Sequence, residues 1–243
     1  MEDSVGIPGR KIKLFADGAD LSEIKKFHEK GVISGFTSNP FFLKKYGVKN
    51  YERFIRQAVD MFPDLSMSFE VLSDELATME REALKIASWA GNCHIKIPIT
   101  NTKGESTSRT IKSLSGQGVK LNVTVIFTLD QVRVAVDSLS KDVSSYISIF
   151  AGRIADTGVD PLPIVREALN LIRQAPLPKT ELLWASTKEL YNIIQAEQAG
   201  CSIITVGYDL LDRLHVIGRS LEDSSLDMVR MFFEATQSTG LAV

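Results

Sequence analysis

Short apolar runs recur along this chain, and each is followed by a longer stretch whose apolar residues fall three and four positions apart. The first kind reads as strand and the second as amphipathic helix, because side chains return to one face every second residue in a strand and about every 3.6 residues in a helix. Strands are predicted at 13–16, 35–37, 66–71, 93–98, 120–126, 146–150, 181–185 and 202–206. Helices are predicted at 21–30, 50–61, 74–90, 106–118, 128–138, 161–174 and 186–199, several opening on a Ser, Thr or Asp suited to capping a first turn. This repeated strand-then-helix unit is the sequence form of an α/β protein with a closed parallel (β/α)8 TIM barrel, although a doubly wound open sheet gives the same local signal. Two further helical segments follow, at 209–217 and 226–237. Met228, Met231, Phe232 and Phe233 give the last one a wide apolar stripe that needs cover, which a neighbouring subunit would supply. No low-complexity linker or charge block interrupts the chain, so residues 1–243 read as a single barrel domain, with 225–243 as a C-terminal helix.

The face on which each polar strand residue lies separates the two folds. A parallel strand covered by helices on both sides is apolar on both, whereas inward residues near the C-terminal ends of barrel strands line a mouth. In His94–Ile95–Lys96–Ile97–Pro98 the isoleucines share one face, and Lys96 lies with His94 on the other. Leu121, Val123 and Val125 alternate against Asn122 and Thr124, and Met67, Phe69 and Val71 against Ser66, Ser68 and Glu70. The same parity sets Leu183 and Ala185 against Trp184 and Ser186, with Ser186 taken as inward. A barrel interior explains the polar faces and gathers an amine, the carboxyls of Asp17 and Glu70, an amide and two hydroxyls into one pocket.

Composition narrows the function classes. Of 243 residues 44% are hydrophobic and 24% charged, which suits a globular chain with a large core. With 28 basic and 30 acidic side chains the formal charge is -2, which provides no broad field for a nucleic-acid backbone or an anionic membrane. An acidic ligand must therefore be held by a local cluster. The first residues lack the apolar run of a secretory signal, and no window approaches the roughly 20 apolar residues of a membrane span. Cys93 and Cys201 stand far apart in apolar stretches and read as buried thiols of a reducing compartment, so a cytoplasmic protein is expected. His94 reads as a core histidine, and residues 152–158 as turn chemistry without a nucleotide fingerprint.

Lys96 is the sharpest feature. A buried ammonium must pair with a carboxylate or give up its proton, and a neutral amine in such a pocket attacks a ketone or aldehyde to form a Schiff base. Position alone leaves open whether Lys96 is that nucleophile or a structural ion-pair partner of Asp17 or Glu70.

At these residues the chain resembles the small single-barrel transaldolases and the related fructose-6-phosphate aldolases. The resemblance is carried by Leu14–Phe15–Ala16–Asp17 with Asp20, Gly35–Phe36–Thr37–Ser38–Asn39–Pro40, His94–Ile95–Lys96–Ile97–Pro98–Ile99–Thr100, Leu121–Asn122–Val123–Thr124, Gly152–Arg153–Ile154–Ala155–Asp156 and Ala185–Ser186–Thr187–Lys188, in family order. It implies that Lys96 is the Schiff-base lysine, Asp17 the proton-transfer carboxylate, and Glu70 with Thr124 a proton shuttle through water. Thr37, Ser38, Asn39 and Asn122 would contact the ketose, while Phe150, Arg153, Ser186 and Lys188 would receive its other end, Arg153 and Ser186 holding the phosphate; Trp184, beside them in this chain, is taken as a further contact. Glu70 where the aldolases have glutamine, and Phe150 where they have tyrosine, imply transfer of dihydroxyacetone rather than its release. The resemblance implies no metal or organic cofactor, a place in the pentose phosphate pathway, and a homo-oligomer, pentamer or decamer, with an exchanged C-terminal helix.

There are departures. Ala16–Asp17–Gly18 stands where the family has Leu-Asp followed by Thr or Ser, and Ser186–Thr187–Lys188 replaces Ser-Phe followed by Arg or Lys, beside Trp184. These changes bear on the head group: a sulfonate would satisfy Arg153, Ser186 and Lys188 as well as a phosphate. The expected activity is a transaldolase acting on fructose 6-phosphate or sedoheptulose 7-phosphate with an aldose phosphate acceptor. The alternatives are an aldolase releasing dihydroxyacetone, a transaldolase for a sulfonated fructose, and a sugar-phosphate-binding barrel without catalysis. In that last reading Lys96 is only an ion-pair partner. Independently of it, the plain alternatives at the anion end are that Arg153 pairs with Asp156 and that Lys188 is simply solvated.

Overall fold

The computed structural model describes residues 11–91 and 93–239, in which eight parallel strands close into a barrel in chain order. They are β1 (Lys13–Asp17), β2 (Gly35–Thr37), β3 (Ser66–Glu70), β4 (Cys93–Pro98), β5 (Leu121–Ile126), β6 (Ser145–Ile149), β7 (Thr180–Trp184) and β8 (Ile203–Gly207). β1 pairs with both β2 and β8, which completes the ring, removes the sheet edges and excludes the open sheet. Ile95 and Ile97 of β4, Val123 of β5 and Val206 of β8 turn outward into one continuous core with the helices. Each helix meets them with its own apolar stripe, as Ile55, Ala83, Ile111, Val132, Val165 and Ile193 do.

The long helices lie at Leu21–Glu29, Tyr51–Met61, Leu76–Trp89, Ser108–Gly116, Leu129–Ser138, Pro161–Gln174 and Tyr191–Ala199, each inside its predicted range. Side chains set their starts: Asp20 accepts from the Ser22 and Glu23 amides, Thr128 and Gln131 form a reciprocal capping box, and Asp160 precedes Pro161 in the first turn. Residues 186–190, expected as helix, form instead the loop after β7. Two short helices, Pro40–Lys45 and Ala151–Asp156, escaped the sequence reading because so few residues display no period.

The C-terminal helix, Leu221–Thr239, begins earlier than its apolar stripe indicates, because the Ser220 hydroxyl accepts from the Asp223 amide at 3.0 Å and caps it. None of its residues is buried, and Val229, Phe232 and Phe233 are 60–64% exposed. Residues 240–243 of the expected terminal segment lie outside the described residues. No described helix is long and apolar enough to cross a membrane.

Inside the barrel, Phe15, Tyr146, Leu183, Ala185 and Ile203 form a second apolar cluster. Below it the His94 ring stacks on Tyr146 with centroids 3.9 Å apart, and the Tyr146 hydroxyl lies 2.9 Å from Ser66 Oγ. His94, Tyr146 and Ser66 fill the N-terminal end of the barrel, and the opening is at the other end.

Candidate active site

At the C-terminal ends of the strands lies a cavity of about 470 Å³. Asp17 of β1, Thr37 of β2, Glu70 of β3, Lys96 of β4, Asn122 and Thr124 of β5, Ser148 of β6 and Thr205 of β8 supply its polar wall. Glu70 and Lys96 stand opposite each other in the β3–β4 register, and Lys96 Nζ lies 2.9 Å from Glu70 Oε2. The amine also donates to the Ser38 carbonyl at 2.8 Å. Side-chain exposure is 6% for Lys96 and 14% for Glu70, so the pair meets water only through the cavity. Thr37 Oγ1 donates to Asp17 Oδ1 at 2.9 Å. Burial pushes the Asp17 carboxyl up from the usual carboxylate range; the Lys96 charge and the Thr37 hydrogen bond pull the other way, while Glu70 adds to the rise.

Two amides are oriented by the fold. Asn39 caps the helix Pro40–Lys45, its Oδ1 accepting from the Phe42 amide at 3.1 Å, which leaves its N–H groups as the end offered to the cavity. Asn122 Oδ1 accepts from Ser148 Oγ at 2.6 Å and its Nδ2 donates to Ser68 Oγ at 3.1 Å, with a second N–H remaining. The Thr124 hydroxyl is buried with no hydrogen-bond partner among the described residues.

The far side of the cavity is built by a close approach. A Cβ on Gly152 would sit 1.7 Å from the Ser186 carbonyl oxygen and 2.9 Å from Lys188 Cγ, so only glycine lets helix Ala151–Asp156 lie against the loop after β7. Ser186 takes φ 63°, a left-handed conformation that turns the chain toward the mouth where its parity points away. Arg153 lines the cavity there. Asp156 lies 3.4 Å from Arg153 and 3.0 Å from Lys188, and these partners, Lys188 foremost, hold its carboxyl below the usual range. Val125, in a register irregularity of β5 and at φ 61°, is a branched residue in strained backbone at the same rim.

Three expected contacts are placed differently. Trp184 is 1% exposed and belongs to the outer core, with its indole Nε1 unpartnered among the described residues; the inward residues near the end of β7 are Leu183 and Ala185. Toward the C-terminal end of β7 both faces are apolar, so parity could not tell which one the helices cover. Ser38 meets Lys96 through its backbone carbonyl, and its own hydroxyl is buried away from the cavity lining. Lys188 stands beside the cavity, paired with Asp156. Phe150 and Phe41, by contrast, line it; sequence reasoning passed over Phe41, Ser148 and Thr205, and read Gly152 as turn chemistry where the structure makes it the point of close approach. Thr205 is signalled as the polar residue of Ile203–Ile204–Thr205–Val206; the packing constraint on Gly152 is not, since it comes from a distant loop.

Fold and site together define a (β/α)8 barrel with a lysine–carboxylate pocket at its C-terminal mouth. Residues 14–243 match the sequence model of the family described as transaldolase/fructose-6-phosphate aldolase. A protein of Dehalococcoides mccartyi named as a probable transaldolase is 31% identical over 88% of this chain and 94% of its own. A Caldicellulosiruptor saccharolyticus protein of the same name is 34% identical over 84% and 89%. The chain belongs to the transaldolase/fructose-6-phosphate aldolase family. Among solved structures, KGPDC from Streptococcus mutans has a TM-score of 0.55 at 11% identity, covering 84% of this chain and 91% of its own. Dihydrodipicolinate synthase from Rhodopseudomonas palustris has a TM-score of 0.51 at 12% identity over 92% and 79%. Those two likenesses concern the barrel alone.

Proposed function

We propose that this protein is a transaldolase that moves a dihydroxyacetone unit from a ketose phosphate, fructose 6-phosphate or sedoheptulose 7-phosphate, to an aldose phosphate through a Schiff base on Lys96. The observation that carries this reading is the Lys96 amine held in the cavity at 2.9 Å from Glu70, with Asp17 on the same wall. A proton passed from Lys96 to Glu70 leaves an amine that attacks the ketose C2 carbonyl. Glu70, with the Thr124 hydroxyl beside it in the lining, returns a proton to the carbinolamine oxygen, which leaves as water. Asp17 takes the C4 hydroxyl proton, the C3–C4 bond breaks, and its electron pair moves onto the iminium as an enamine while an aldehyde departs. The acceptor aldehyde then enters, and the same steps in reverse form the new bond. The raised proton affinity of Asp17 suits a group that must take up and return a proton. Asn39 and Asn122 offer amide N–H groups to the sugar hydroxyls, and Arg153, Ser186 and Lys188 serve the anion.

Glu70 and Phe150 favour transfer over release, and the pathway setting is sugar-phosphate metabolism in the cytoplasm, consistent with two buried, unlinked thiols. The uncovered C-terminal helix and an apolar groove at Leu190, Tyr191, Ile194, Val216 and Ile217 support a homo-oligomer, for which the family resemblance implies a pentamer or decamer. A second reading, a ketose ending in a singly charged sulfonate, is favoured by Asp156: it pairs with both Arg153 and Lys188 and leaves two cations facing one carboxylate.

Borohydride trapping with fructose 6-phosphate, and separately with its sulfonated analogue, tests these readings by intact and peptide mass spectrometry. An adduct on Lys96 is expected, discharged by erythrose 4-phosphate and absent in Lys96→Ala. No adduct from either ketose would leave a binding barrel in which Lys96 is an ion-pair partner. Glu70→Gln with Phe150→Tyr is expected to raise release relative to transfer by about tenfold; an unchanged ratio ends the branch argument.

A further inference from the structure

We propose that Thr205 is a positioning residue for Asp17, acting through Thr37 to hold the ionised carboxylate in place and turn one of its oxygens to the cavity. The proposal rests on reading Asp17 as the proton-transfer group. β1 lies between β2 and β8, with Asp17 opposite Thr37 on one side and Phe15 opposite Thr205 on the other. Both threonines are 3% exposed, and their hydroxyl oxygens meet inside the barrel at 2.6 Å.

The directions of these hydrogen bonds are not arbitrary. Thr37 has one hydroxyl proton, and its Oγ1 lies 2.9 Å from Asp17 Oδ1. An ionised carboxylate only accepts, so Thr37 donates to Asp17, and the bond between the threonines runs from Thr205 to Thr37. Hydroxyls in series polarise one another, each bond strengthening the next by roughly 10–30%. Thr205 is itself anchored: its backbone carbonyl accepts from Thr187 Oγ1 at 2.7 Å, in the loop that carries Ser186. With Oδ1 engaged from below, Oδ2 is the oxygen left for the substrate's C4 hydroxyl. Packing does not explain a hydroxyl at this position, because valine has nearly the same shape and would add no polar group to an interior strand.

The relay favours the ionised form of Asp17 and so works against burial. The other charged or titratable groups that bear on Asp17 are Lys96 from β4, Glu70 from β3 and Tyr208 from the segment after β8. All are retained in the test. The Asp17 carboxyl carbon is followed by 13C NMR against pH, assigned by its loss in Asp17→Asn, in the wild type, Thr205→Val and Thr205→Ser. The pH dependence of kcat for donor cleavage is measured on the same proteins. In Thr205→Val the Asp17 midpoint is expected to rise by about half a pH unit, a roughly threefold gain in proton affinity. The acid limb of kcat moves with it, KM stays within about twofold, and Thr205→Ser restores the wild-type values. Thr37→Val, which removes the link itself, moves the midpoint further the same way, and Thr205→Ala is a second hydroxyl-free variant should valine prevent folding. An unchanged midpoint in the hydroxyl-free variants overturns the proposal, and so does a rise that Thr205→Ser shares. A midpoint that rises while the kcat profile stays fixed upholds the relay and removes Asp17 from the proton-transfer role.

Discussion

His94 and Lys96 are neighbours on the inward face of β4, 4% and 5% exposed, yet the barrel treats them in opposite ways. His94 lies toward the filled end, stacked on Tyr146, with Nε2 3.1 Å from Ser144 Oγ and Nδ1 without a partner among the described residues. The charged ring would carry an Nδ1–H with no acceptor, and burial, with Lys120 and Lys13 nearby, pushes the imidazole down to about 3. Lys96 lies toward the open end with a carboxylate and a carbonyl as acceptors. One end of the barrel refuses a charge and the other holds one beside groups able to move its proton. A buried polar residue fixed in a single protonation state is architecture; one placed among exchangeable partners can do chemistry.

The largest effect expected from breaking this contrast is at the open end. Lys96→Met with Glu70→Gln removes both members of the pair, whose mutual attraction is offset by the cost of desolvating them. Stability in urea should hold or rise by about 1–2 kcal/mol, while transfer activity falls by roughly ten-thousandfold. A loss of several kcal/mol would instead make the pair structural, like the groups at the filled end.

Next in size is the rim. Gly152→Ala places a methyl against the Ser186 carbonyl, so helix Ala151–Asp156 or the loop after β7 must move. A cost of about 3 kcal/mol or more is expected, with a higher KM for an anionic ketose because Arg153 and Ser186 no longer converge. Unchanged stability and KM would mean that this end tolerates rearrangement and that its geometry does not select the anion.

The alternation on β3, β4 and β5 made the barrel and Lys96, Glu70, Asn122 and Thr124 legible in the sequence, since polar residues on one face of an otherwise apolar strand have few places to go. The same logic fails on β7, where the barrel interior is itself apolar and Leu183 and Ala185 point into it in place of Trp184. Gly18 looked like an unexplained departure until the fold placed Tyr208 beside it: a Cβ there would lie 2.3 Å from the Tyr208 hydroxyl, which meets the Asp20 amide at 3.1 Å. Contacts of that kind join residues far apart in the chain, and local periodicity carries no trace of them. Ser186 reaches the mouth through a left-handed turn that parity does not encode.

The smallest effect lies at the filled end and sharpens the comparison through pH. Because the folded-state value of His94, about 3, lies below the ordinary 6.5, the unfolded chain binds a proton that the native protein does not. This contribution is complete above about pH 6.5 and declines on acidification toward pH 3. Between about pH 6.5 and pH 5 the loss amounts to about 1.6 kcal/mol. His94→Gln cannot titrate, so its urea midpoint should change less with pH over this interval than that of the wild type, whatever the substitution costs at neutrality. Parallel slopes would show that the imidazole gains its proton without unfolding, and the filled end would then share the exchangeable character of the mouth.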